Sequence, residues 1–121
     1  MARRDGKSGT PYGTLEMLIL SALRVRPMHG YALARTIEAL SERQILVEEG
    51  SLYPALRRLL EREAVTTAWE IQPNGREVRE YTITPAGRKL HAEEVARWDA
   101  LVAAINAIIR EPDGRLRSRP E

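Results

Sequence analysis

The side chains best equipped for chemistry gather in one short stretch: Ser51, Tyr53, Pro54, Arg57 and Arg58. Between them run Leu52, Leu56, Leu59 and Leu60. Their steps of three and four mark the buried stripe of a helix over about Glu48–Glu63. The hydroxyls and guanidiniums therefore stand off that stripe. Neighbouring guanidiniums on a helix face suit phosphate or the edge of guanine. The same spacing equally fits a solvated charge pair, because Glu61 lies within helix-pair reach of both arginines. Tyr53 fits either a phosphate donor or a core residue with a satisfied hydroxyl. Ser51 can cap the helix and touch an anion at its N-terminus. Pro54 suits a first turn, where its missing N–H costs least, so the helix start lies between Glu48 and Ser51.

Catalytic chemistry is poorly supplied. His29, Ser51 and Glu49 could be recited as a hydrolase set, but no Gly-x-Ser-x-Gly elbow or oxyanion loop accompanies them. His29 is expected to pack or hydrogen-bond in a turn, and no enzyme is expected. With 0 Cys and 2 His, there is no thiolate zinc site, cysteine nucleophile, disulfide framework or His-rich metal site, so neither metal nor cofactor is expected.

The 121 residues suit one domain, and 43% hydrophobic with 30% charged side chains suits a soluble globular chain. No apolar run approaches the ~20 residues that span a bilayer, and the start lacks a signal core, so a cytoplasmic protein without a membrane partner is expected. The net charge is 19 − 17 = +2. Residues 14–110 carry 13 basic and 13 acidic side chains, which cancel. Any surface for nucleic acid must come from the arrangement of charge rather than its excess.

The elements that must position these residues follow from periodicity. Residues 1–13 read as a flexible arm. Thr14, a plausible N-cap, precedes a helix with Leu15, Leu18, Ile19, Ala22 and Leu23 on one face, ended by Arg26-Pro27. After Met28-His29-Gly30, a second helix places Tyr31, Leu33, Ala34, Ile37 and Leu40 inward. Ile45-Leu46-Val47 suggests a small strand. Beyond the third helix, Val65–Ile71 and Val78–Thr84 read as a hairpin about Asn74-Gly75, a turn that needs positive φ. Thr84-Pro85 opens a last helix to about Arg110, and 111–121 read as a disordered tail. The fold class is α+β, mainly α: a winged helix-turn-helix over 14–84, followed by a long dimerisation helix over 85–110.

Four stretches stand out: Gly13-Thr14-Leu15-Glu16-Met17-Leu18-Ile19-Leu20, His29-Gly30-Tyr31-Ala32-Leu33-Ala34, Glu49-Gly50-Ser51-Leu52-Tyr53-Pro54-Ala55-Leu56-Arg57-Arg58-Leu59 and Tyr81-Thr82-Ile83-Thr84-Pro85-Ala86-Gly87-Arg88. With these the chain resembles the PadR family of bacterial transcriptional regulators. The single C-terminal helix resembles the short subfamily, which includes multidrug-binding repressors. The resemblance implies double-stranded DNA as partner, read by Ser51, Tyr53, Pro54, Arg57 and Arg58. Arg35 and the wing tip Asn74, Gly75 and Arg76 would position the backbone, although a plain surface role fits Arg35 equally. Two residues depart from the family pattern: Ala64 stands where Gly usually follows the third helix, and Glu77 and Glu80 interleave with Arg76 and Arg79 in a wing that is usually densely basic.

On the last helix, Val95, Trp98, Leu101, Val102, Ile105, Ile108 and Ile109 form an apolar seam close to a heptad. A seam this long asks for a second copy, with Leu15 of the first helix joining the interface. The multidrug-binding members imply a planar aromatic effector between paired Trp98 rings, with Glu16, Met17, Leu101 and Val102 lining its pocket. The expected function is a homodimeric repressor on a (pseudo)palindromic operator. The rival is a protein-interaction adaptor that uses the winged domain or the seam without DNA.

Overall fold

The computed structural model describes residues 13–111, so residues 1–12 of the expected arm and the tail beyond Glu111 lie outside the described residues. Seven elements follow in order: α1 (Thr14–Leu23), β1 (Met28–His29), α2 (Gly30–Leu40), α3 (Glu49–Glu61), β2 (Val65–Ile71), β3 (Glu77–Ile83) and α4 (Pro85–Ile109). They make a winged helix-turn-helix with a long C-terminal helix. None of the described helices is long and apolar enough to cross a membrane.

The core is aliphatic. Ile19, Leu20 and Leu23 of α1, Leu33 of α2 and Leu52, Leu56 and Leu59 of α3 are almost wholly buried. Val65, Tyr81 and Ile83 close it from the sheet. Apolar residues surround α1 on nearly every side, so it runs through the middle of the domain rather than along its surface. Its start differs from the expected Thr14 cap. Gly13 precedes the helix at φ 86, a conformation that glycine adopts without a Cβ penalty, and Thr14 is the first helical residue.

The strand order is β1-β3-β2, all antiparallel. The small third strand is therefore Met28–His29 and not Ile45–Val47. The latter segment spends its donors on side chains. Ile45 N–H goes to Ser41 Oγ at 3.0 Å and Val47 N–H to Glu38 Oε2 at 2.9 Å. Buried Glu38 thus ties the connection to α2 and sets where α3 begins. On α2, Leu33 and Ile37 are buried, but Tyr31 and Leu40 are 67% and 75% exposed. Both were expected inside; they lie off the face that meets α1 and α3.

Helix α3 ends in a Schellman arrangement. Ala64 N–H donates to Leu59 O at 2.9 Å and Glu63 N–H to Leu60 O at 3.0 Å. The left-handed residue is Glu63, φ 59. Ala64 itself has no need of glycine's freedom. The start of α4 docks just behind this turn. Thr84 Oγ1 caps the helix by accepting from Gly87 N–H at 2.9 Å and donates to Glu63 O at 2.7 Å. A Cβ on Gly87 would collide with the Ala64 carbonyl and the Ile83 side chain, so only glycine allows this approach.

Candidate nucleic-acid interface

Helix α3 buries its leucines and turns the opposite face outward. Arg57, Tyr53 and Pro54 are exposed, and Ser51 is half-buried in the first turn. The cap of α3 is Glu48, with no side-chain hydrogen bond, so Ser51 is not the cap. Pro54 stands in the second turn rather than the first. It removes the bond that would reach the Gly50 carbonyl and leaves the start of the helix loosely tied.

Tyr53 is neither a plain core residue nor a free surface phenol. It is 45% exposed, and its ring end lies so close over Gly30 that a Cβ there would clash with the hydroxyl. Burial, with nearby Glu49 and then Tyr81, raises its pKa above the ordinary 10.0. The hydroxyl therefore stays protonated and available as a donor.

Arg58 reaches beyond its own helix. Its Nε donates to Glu16 Oε2 of α1 at 2.6 Å, a contact across 42 residues of sequence. Among the described residues, Glu16 Oε1 has no hydrogen-bond partner. Arg35 is also engaged: it pairs with Glu38 one turn on and lies over the Tyr31 ring at 5.5 Å from its centroid. Helix periodicity could not have revealed the Glu16–Arg58 pair, because it joins two elements.

The wing tip follows a longer loop than Asn74-Gly75 alone. Gly75 N–H bonds Gln72 O at 2.8 Å, and Gln72 N–H returns to Arg76 O at 2.8 Å. Only Gly75 takes positive φ, at 87°, which makes a three-residue turn with a glycine bulge. Asn74 serves through its side chain, accepting Arg76 N–H at 2.9 Å.

The second group of expected residues lies along α1 and α4. Met17, Trp98 and Leu101 line one cleft of about 340 Å³ with Glu94 and Arg97. Trp98 is 38% exposed. Glu16, adjacent to Met17 in sequence, faces a different cleft with Arg58, Glu61, Arg62 and Glu94, since successive helical residues diverge by about 100°. Val102 is half-buried outside the Trp98 cleft. Leu15 is in the domain's own core, so it is not a surface for a partner. The seam beyond it is open: Leu101, Ile105, Ile108 and Ile109 are 44–62% exposed on one stripe. Further up α4, buried His91 meets Ser21 Oγ through Nε2 at 2.7 Å.

A family model described as "Transcriptional regulator PadR-like family" matches residues 19–93. An uncharacterized 37.1 kDa protein in transposon TN4556 of Streptomyces fradiae is 42% identical over 79 residues, 65% of this chain. The match spans only 21% of that relative. A PadR family transcriptional regulator from Eggerthella lenta is 32% identical, with a TM-score of 0.70 over 84% of this chain and 85% of that one. Bacillus subtilis PadR, solved in complex with operator DNA, is 23% identical, with a TM-score of 0.63 over 71% of this chain and 48% of that one. That last likeness is one of fold.

Proposed function

Because the chain belongs to the PadR-like family of transcriptional regulators, we propose that it acts as a homodimeric repressor of a (pseudo)palindromic operator, released by a planar aromatic ligand at the dimer interface. The observation that carries the reading is the pairing of two outward faces. One is α3, with Tyr53 and Arg57 exposed. The other is the open apolar stripe of α4. A two-fold axis through α4 sets two copies of α3 toward successive major grooves, roughly 34–36 Å apart.

In this reading α3 enters the major groove. Arg57 is the base-reading guanidinium, while Ser51, Tyr53 and Pro54 lie against the adjoining backbone. Arg76, with Asn74 and Gly75 shaping its loop, reaches the backbone from the wing. Arg58 works from its tether on Glu16, and Arg35 from its pair with Glu38, so both are second to Arg57. The Bacillus subtilis regulator's operator complex supports DNA as the partner, and a cytoplasmic site of action belongs to the same proposal. Met17, Trp98 and Leu101 share a cleft, which supports the aromatic effector.

Titration of a labelled duplex carrying the DNA upstream of the protein's own coding sequence tests the reading. Arg57→Ala should weaken binding by about 1–3 kcal/mol and relax preference at one base pair, with Arg58→Ala milder. If the wild-type protein binds that duplex no better than random DNA, operator reading fails, and the adaptor role takes its place.

A further inference from the structure

Among the described residues two carboxylates are buried, Glu16 at 8% exposed and Glu38 at 4%. Each holds an arginine of the helix-turn-helix. Glu38 pairs with Arg35 on α2, and Glu16 on α1 pairs with Arg58 on α3. Both arginines keep about half of their side chains in solvent while their partners are enclosed. Arg57, next to Arg58 on α3, and Arg76 at the wing tip are different. They are exposed and form no ion pair among the described residues.

The two buried carboxylates differ in what else they do. Glu38 Oε2 also accepts Val47 N–H at 2.9 Å, so the fold of the α2–α3 connection needs it. Glu16 has no such backbone contact. Its Oε2 takes Arg58 Nε at 2.6 Å, and its Oε1 has no hydrogen-bond partner among the described residues. A buried carboxylate satisfied on one oxygen only leans on that guanidinium for its compensation. Lending Arg58 to a phosphate would leave Glu16 buried and uncompensated, a cost that one phosphate contact does not return.

We propose that Glu16 sharpens operator specificity by withholding Arg58 from phosphate. Arg58 brings a charge to α3, but Glu16 cancels it, so sequence-independent binding has one cation fewer in each protomer. Glu16 is a positioning residue that acts through Arg58. The proposal rests on the DNA reading above. Non-specific DNA imposes no fixed register, so a long side chain with an uncompensated charge finds a phosphate on any sequence. On the operator, base contacts fix the register, and the same side chain gains less. The pair therefore lowers random binding more than operator binding. It does at one position of α3 what the 13 basic and 13 acidic side chains of residues 14–110 do for the domain.

Fluorescence anisotropy on the full-length protein, with the upstream duplex and a random duplex of equal length over a range of salt, tests it. Glu16→Gln is nearly isosteric and leaves an acceptor for Arg58 Nε, so it should fold, which thermal melting checks. On the random duplex its slope of log affinity against log salt should steepen by about 0.9 per protomer, one phosphate's worth. Its preference for the upstream duplex should fall several-fold. The double variant Glu16→Gln with Arg58→Gln carries neither charge and should return both quantities to wild-type values. A folded Glu16→Gln protein with the wild-type slope overturns the proposal. So does a slope that stays steep in the double variant, because the effect then bypasses Arg58. A double-variant slope shallower than wild type by about 0.9 per protomer overturns it as well, since Arg58 would then grip phosphate despite Glu16. That last readout stands even where Glu16→Gln alone fails to fold. All three outcomes leave the operator reading in place. A wild-type protein that binds neither duplex, or shows no preference between them, overturns that reading and this proposal together.

Discussion

Single residues hold two tests of how this chain is built. Glu63 ends α3 in the left-handed region, where a side chain costs about 1–2 kcal/mol relative to glycine. Glu63→Gly removes that strain and adds freedom to the unfolded chain, so a net gain of about 0.5–1 kcal/mol is expected, visible as a rise of a few degrees in thermal midpoint. The position after α3 at which glycine would relieve strain is thus Glu63, one before Ala64. Trp98 is the second test. It forms one wall of the cleft shared with Met17 and Leu101. In the effector reading, Trp98→Ala should lose most affinity for a planar aromatic cation, since stacking and cation–π terms each contribute about 1 kcal/mol or more in a desolvated site. Its affinity for the operator without ligand should persist, because Trp98 belongs to α4 and is not among the residues of the proposed DNA face. Calorimetric titration with a panel of planar dyes reads the first outcome; unchanged dye affinity in the variant would move the effector elsewhere.

Between elements, the α1–α4 junction carries a titratable contact. Burial first, and Arg24 second, lower the His91 pKa below its ordinary 6.5. The neutral ring bonds Ser21 across the junction. A depressed histidine leaves stability intact above about pH 6.5, where neither state takes the proton. As pH falls through that value the unfolded chain protonates first, so stability is lost downward toward the folded-state pKa. Melting from pH 8 to pH 5 should therefore lower the wild-type midpoint more than that of His91→Gln; parallel curves would remove His91 from this role. Periodicity made most elements legible. The leucines of α3, the hairpin and Thr84-Pro85 at the start of α4 all carry local signals, and those elements fall where such signals put them. What escaped is relational. Ile45–Val47 has strand-like residues, yet its N–H groups bond Glu38 and Ser41 while Met28–His29 takes the sheet edge. Arg58 shows the same limit within the candidate site, because its partner Glu16 is 42 residues away.

For the molecule as a whole, the open stripe on α4 is the surface on which the proposed dimer rests. Large apolar side chains at Leu101, Ile105, Ile108 and Ile109 remain exposed along one line. In the dimer reading, light scattering at micromolar concentration should give twice the chain mass of 13.7 kDa. Leu101→Glu with Ile105→Glu should give monomers, as charge in an apolar seam is costly. Both sites lie on α4 outside the domain core, so the helix content should be retained in circular dichroism. A monomeric wild-type protein would sink the dimer. The same helix has a mechanical consequence. Its root is pinned by Gly87 against Ala64 and by His91 against Ser21, while the stretch from Leu101 onward runs past Gly13 at the start of α1. From His91 to Ile109 the axis covers about 27 Å at 1.5 Å per residue. Each degree of tilt at the pinned root carries the far end through about half an ångström by that length. Because α4 lies along α1 from Ser21 beside His91 to Gly13 beside Leu101, such a tilt would carry α1 with it and so couple the domain's core to the open stripe.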